Sequence, residues 1–174
     1  MEKKPISSLV VGVIIGLSLI LLSLVFYFTG RTFARDALSY LPLAIFLGLI
    51  IYFTIKWAND NNNNVTFGKC FGYGFKCTAV TAIISFVFTL IFIFIFPDLK
   101  TQFLDFQRQQ MEQNPQLSDE QREKIVSGIG NYFELIMLGG GLFFNLLIGL
   151  VASLIGAAVA KKNPRSPFEQ NVQL

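Results

Sequence analysis

Charges along this chain fall outside four long apolar runs, between them and at the two ends, and the runs predict its elements. Residues 6–28 carry no charged side chain, and residues 77–96 carry none before Pro97 and Asp98. Residues 38–55 form a shorter run with Pro42 near its start, so the helix is expected to begin around Tyr40, and Lys56 and Trp57 close it. Residues 135–160 form the longest run, punctuated by Gly139, Gly140 and Gly141, after which its effective start is expected. A helix needs about 20 apolar residues to cross a hydrocarbon layer of about 30 Å. The pattern therefore predicts an all-α protein, an integral membrane four-helix bundle in a single membrane domain over residues 1–174.

Two polar segments add detail. Pro5 suits the first turn of the first span, where its missing N–H costs nothing. That run is too long for a signal peptide, and no small-x-small cleavage site follows before Tyr27. Residues 97–134 predict an amphipathic helical hairpin, with Leu99, Phe103, Phe106 and Gln110 at helical spacing on the first arm. Asn114 and Pro115 break that arm. The second starts at Ser118, which with Gln121 forms a capping-box pair, and Asp119 and Glu120 suit the positive helix end. Ile125, Val126, Ile129 and Phe133 then continue on one side.

The stretch "NNNNVTFGKCFGYGFKC" precedes the third run. A phosphate loop would need Gly where Asn63 stands and Ser or Thr where Cys70 stands, so a nucleotide reading fails. Residues 65–76 instead predict an amphipathic interfacial helix capped by Thr66. In it Phe67, Phe71, Phe75 and Tyr73 sit at headgroup depth, and Lys69 and Lys76 are candidate contacts to lipid phosphate or to a partner. Gly68, Gly72 and Gly74 would let it press against a neighbour.

Small residues mark candidate helix seams, because helices in lipid associate through close packing and interhelical hydrogen bonds. Gly12 and Gly16 form a GxxxG. Thr81, Ser85 and Thr89 line one face of the third span. Gly141, Asn145, Gly149, Ser153 and Ala157 recur every fourth residue in the last. Asn145, the one strongly polar side chain in a span core, is expected to hydrogen-bond a neighbouring helix. Homodimerisation through Gly12 and Gly16 is the weaker use of that motif.

Composition and charge then narrow the chemistry. The chain is 53% hydrophobic and 14% charged, with a net charge of +3 and basic residues dispersed among loops, which argues against nucleic acid as a partner. With 0 His, the commonest metal ligand and the usual general base are missing. Cys70 and Cys77, about 10 Å apart along one helix face, are too distant for a disulfide and read as free thiols. No HExxH or GxSxG occurs, and no acid pair lies within a span, so neither catalysis nor a cofactor is indicated. Lys3, Lys4, Lys56, Lys69, Lys76, Lys161, Lys162 and Arg165 fall on one side of a four-span topology. Arg31, Arg35, Lys100, Arg108, Arg122 and Lys124 fall on the other. The bias predicts cytoplasmic termini and an extracytoplasmic hairpin.

This layout is similar to that of a bacterial membrane family of unknown function numbered 4199. The residues that carry the resemblance are "VTFGKCFGYGF" before the third span, "FQRQQMEQNPQLSDEQREKI" between spans three and four, and the tail "KKNPRSPFEQ". The Phe67, Gly68, Lys69, Phe71, Gly74, Phe75 pattern is its most specific part, with Cys70 where the family more often has alanine. The resemblance implies a four-helix protein of the bacterial inner membrane and brings no substrate, cofactor or catalytic residue. The expected role is a small non-enzymatic protein, structural or accessory to another membrane component, with the bilayer, a second copy or a membrane-protein partner around it. An oligomeric transporter or channel for an ion or small solute is the alternative.

Overall fold

The structure is a computed structural model that describes residues 5–113 and 116–163. Ser7, not Pro5, opens the first helix: its hydroxyl accepts the Val10 N–H at 3.3 Å, and α1 runs Ser8–Phe28. Pro5 lies outside the helix because a side-chain cap satisfies a free amide, which proline at the first turn merely avoids. Gly30, at φ +69°, turns the chain after Thr29. Asp36 caps a 3-10 turn, Ala37–Tyr40, which leads into α2, Leu41–Asp60, with Pro42 in its first turn. The helix does not stop at residue 55, since Lys56 reaches Asp60 one turn on at 2.9 Å.

The four asparagines have a backbone role. Asn62 and Asn63 adopt φ of 55° and 59°, the left-handed region in which asparagine is the most tolerant residue after glycine. The Asn63 N–H returns to the Ala58 carbonyl at 2.9 Å and closes α2. Thr66 then caps α3, Phe67–Ile95, a single helix of 29 residues. The interfacial helix expected over 65–76 is therefore not a separate element but the first turns of this span. Nothing at Lys76 or Cys77 breaks the hydrogen-bond ladder, and apolar periodicity alone cannot distinguish a surface helix from the protruding end of a span.

Asp98–Glu112 (α4) and Asp119–Asn131 (α5) form the expected hairpin, with the capping box of Ser118 and Gln121 in place. The expected break at Asn114 and Pro115 lies outside the described residues. The last span, α6, runs Phe133–Val159. The three glycines do not delay its start. Ile136–Gly140 form a π turn, and Gly140 and Gly141 keep right-handed helical geometry, so the helix is continuous through them.

Four helices, α1, the segment Ala37–Asp60, α3 and α6, are long and apolar enough to cross a membrane, and no strand occurs among the described residues. At the terminal end of the bundle, the Tyr73 hydroxyl donates to the Ile6 carbonyl at 3.0 Å. There too the Asn163 N–H meets the Asn63 carbonyl at 2.7 Å, and the Lys162 ammonium lies 5.6 Å from the Phe67 ring centre. The hairpin occupies the opposite end. Tyr27 donates to both Asp98 carboxylate oxygens at 2.9 Å, and Phe33 lies 5.6 Å from both Phe103 and Phe106. Phe103 in turn packs on Phe133. Leu99 and Phe103 are buried in this cluster, so the hairpin caps the bundle through its first arm. On the second arm Val126 is buried but Ile125 points outward, contrary to the one-sided expectation. Glu123 and then Asp105 hold the Arg108 guanidinium above its ordinary value, tying the arms together at 3.2 Å.

Candidate functional site

Close packing seals the terminal half of the bundle. On α1, a Cβ at Gly12 would come 2.6 Å from Val80 Cβ and 2.8 Å from the Cys77 carbonyl oxygen, and one at Gly16 would come 3.0 Å from Ile84. The Gly12 carbonyl also accepts the Thr81 hydroxyl at 3.1 Å. The GxxxG face is thus covered by α3 of the same chain. Between α3 and α6, Gly149 faces Thr78 and Gly74 faces Ser153, while Thr54 of α2 wedges between Gly74 and Gly156. Thr54 and Ser153 return their hydroxyls to the Ile50 and Gly149 carbonyls of their own helices at 2.7 and 2.6 Å. Val11, Ile15, Phe46, Ile50, Cys77 and Ala152 fill the layer between.

Of the expected seam residues, Gly12, Gly16, Gly149 and Ser153 lie in seams and Gly141 does not, having no atom within 4 Å of its would-be Cβ. Helix geometry explains the error. At about 100° per residue, each step of four drifts by about 40°, so Gly141 sits about 80° away from Gly149. The true stripe is Gly149, Ala152, Ser153, Gly156 and Ala157, all buried and at the three-and-four spacing that stays on one face. Thr54, Thr78 and Gly156 went unnoticed in the sequence. The three-and-four pattern would have found Gly156, but nothing local marks which threonines meet it.

Asn145 does not bridge helices. It is half-buried, makes no side-chain hydrogen bond to any described residue, and lines a cavity of about 320 Å³ in the hairpin half of the bundle. All four spans contribute to its walls. Ser23, Ser39, Ser85 and Thr89 supply hydroxyls and Phe46 closes it toward the sealed half. Thr89 and Ser39 spend their donors on the Ser85 and Ala34 carbonyls, at 2.9 and 2.6 Å. No acidic or basic side chain lines this space, so it suits a neutral hydrogen-bonding guest.

The residues singled out on the third span divide between two faces. Phe71 and Phe75 stack with ring centres 5.8 Å apart, and Phe67 meets Lys162. Lys69 and Lys76 instead flank a groove with Ser8, Trp57, Gly68, Gly72 and Tyr73. Tyr73 is not on the outside of the bundle but buried, its ring stacked on Trp57 at 4.8 Å. Gly74 alone of the three glycines presses on a neighbour; Gly68 and Gly72 face open space. Cys70 and Cys77 are free and buried, and no group of three or more metal-ligating side chains occurs among the described residues.

No curated protein and no solved structure matches the chain. A family model does, over residues 11–162, taking in all four spans and the hairpin and ending before most of the tail. With the four membrane-crossing helices, that match makes this a multi-pass membrane protein belonging to the family described as "Protein of unknown function (DUF4199)".

Proposed function

We propose that the chain is a small non-enzymatic protein of the bacterial inner membrane, accessory to another membrane component. Both termini are cytoplasmic and the α4–α5 hairpin is extracytoplasmic. The observation that carries this reading is the way the hairpin is fixed to the spans. Tyr27–Asp98, the Phe33–Phe103–Phe133 ring contacts and the Lys100–Glu134 pair at 3.6 Å join it to α1, to the loop after α1 and to α6. A platform so anchored presents one defined polar surface to a partner, and the sealed half below it supports a scaffold over a monomeric pore. The test is crosslinking from exposed hairpin positions such as Gln109 in intact cells, which should trap one reproducible membrane partner. A reporter active only outside the cytoplasm, inserted within 107–116, should be active; activity at the C-terminus instead would overturn the orientation.

The Asn145 cavity favours a second reading, an oligomeric transporter or channel for a small neutral solute. Purified protein in liposomes separates the two: solute flux abolished by Asn145→Leu supports transport, and partner capture without flux supports the accessory role.

A further inference from the structure

We propose that the groove at the terminal end of the bundle is a binding site for the phosphate headgroup of an anionic phospholipid, held by Lys69 and Lys76. The two lysines lie seven residues apart, two turns along one face of α3 and about 10 Å from each other along its axis. Gly68 and Gly72 lie on the same face, and no atom comes within 4 Å of where their side chains would start, so they form an open floor. Trp57, held by its stack on Tyr73, makes one wall and Ser8 of α1 the other, enclosing about 360 Å³. The bond from its hydroxyl to the Ile6 carbonyl, at 3.0 Å, orients Tyr73 in that stack.

Charge and depth identify the guest. Lys56, Lys100 and Lys162 each have a partner, in Asp60, Glu134 and the Ala158 carbonyl; Lys69 and Lys76, like Lys124 and Lys161, have no ion-pair partner among the described residues, and of these Lys69 and Lys76 line one groove together. Two ammonium groups beside a groove with no acid in its lining suit a phosphate diester. The 29 residues of α3 span about 43 Å against a hydrocarbon layer of about 30 Å, so its first turns stand at headgroup level. Below Lys76 the same face continues as Ile83, Val87, Leu90 and Phe94, all exposed, along which an acyl chain attached to that phosphate can lie. A free phosphate would share the headgroup chemistry but use none of this apolar track.

Trp57 is the single tryptophan of the chain, so its fluorescence reports on the groove directly. The full chain in mixed micelles would be titrated with phosphatidylglycerol or phosphatidylcholine brominated on the upper acyl carbons. Phosphatidylglycerol should quench at about tenfold lower mole fraction. Lys69→Gln or Lys76→Gln should each lower that preference about fivefold, and the double variant should abolish it. Gly72→Leu, which fills the groove and keeps both charges, should lower it as well. Equal quenching by the two lipids, or a preference indifferent to Gly72→Leu, would overturn the site. Displacement of the brominated lipid by millimolar inorganic phosphate would overturn its assignment to a phospholipid.

Discussion

Gly149→Ala adds one methyl group where the structure has no room for it. The new Cβ would stand 2.1 Å from Thr78 Cγ2, 2.5 Å from Thr78 Oγ1 and 2.8 Å from Thr78 Cβ. Rotating Thr78 can turn its hydrogen into only one of the two γ positions that face the new methyl, so one close contact remains, although the turn costs no hydrogen bond because its buried hydroxyl has none. The third persists in every rotamer, since Cβ is fixed to the backbone, so α3 and α6 must separate along their seam. Overpacking of this kind costs about 1–3 kcal/mol. Gly141→Ala, in the same helix with open space around it, should stay within about 0.5 kcal/mol of the parent. Thr78→Ala removes the two closest contacts, so combining it with Gly149→Ala should recover about 1 kcal/mol relative to the sum of the single changes. Denaturing-detergent titration followed by Trp57 fluorescence, with labelling of Cys77 as a second probe, measures all four variants. Equal stabilities of Gly149→Ala and Gly141→Ala, or strict additivity with Thr78→Ala, would refute the argument that this seam depends on the missing side chain.

Other contacts give independent checks. Cys70 and Cys77, at 0% and 1% exposure, should resist maleimide in the folded protein and label fully once it is unfolded; rapid native labelling of Cys77 would place the α1–α3 seam elsewhere, and of Cys70 the packing of α3 on Ala58 and Ala157. Tyr27→Phe removes the hydroxyl that joins α1 to Asp98 of α4 while sparing the ring packing; amide exchange should rise across Asp98–Glu112 and stay unchanged in α3. Ser118→Ala removes half of the capping box and should cost about 1 kcal/mol, read as faster exchange in the first turn of α5.

Spans, caps and hairpin were legible in the sequence because each depends on local rules. Uninterrupted apolar length marks a span, and Ser118 with Gln121, or Thr66 before Phe67, marks a helix start whatever the tertiary surroundings. Boundaries were less legible where two rules compete. Lys56 with Trp57 marks an expected end of α2, yet an i,i+4 acid carries the helix to Asp60. The glycines at 139–141 favour a delayed start, yet a π turn takes in Gly139 and Gly140 and Gly141 continues as α-helix. Seams were half legible. A small residue shows that some neighbour can approach, but not which one, and only three dimensions bring Thr54 of α2 to both Gly74 and Gly156. The groove beside Lys69 was least legible, because its wall comes from Trp57, on another helix and read from sequence as an interface anchor.

Polar side chains inside the bundle do not all carry the same functional weight. A serine or threonine in a helix can return its hydroxyl to the carbonyl four residues back, as Ser18, Thr54, Thr89 and Ser153 do, and so needs no outside partner. Used this way it is chiefly a small surface for packing. Asn145 differs: its amide has donors and an acceptor to satisfy, finds no described residue to bond, and projects into the cavity. If that arrangement is retained for a guest, the protein gives up stability to keep it, so removing the amide should stabilise the bundle. Asn145→Leu, similar in size, should therefore raise stability by up to about 1 kcal/mol in the detergent titration. A loss of more than 1 kcal/mol would mean the amide is bonded within the folded bundle, and would transfer Asn145 from the cavity to the seams.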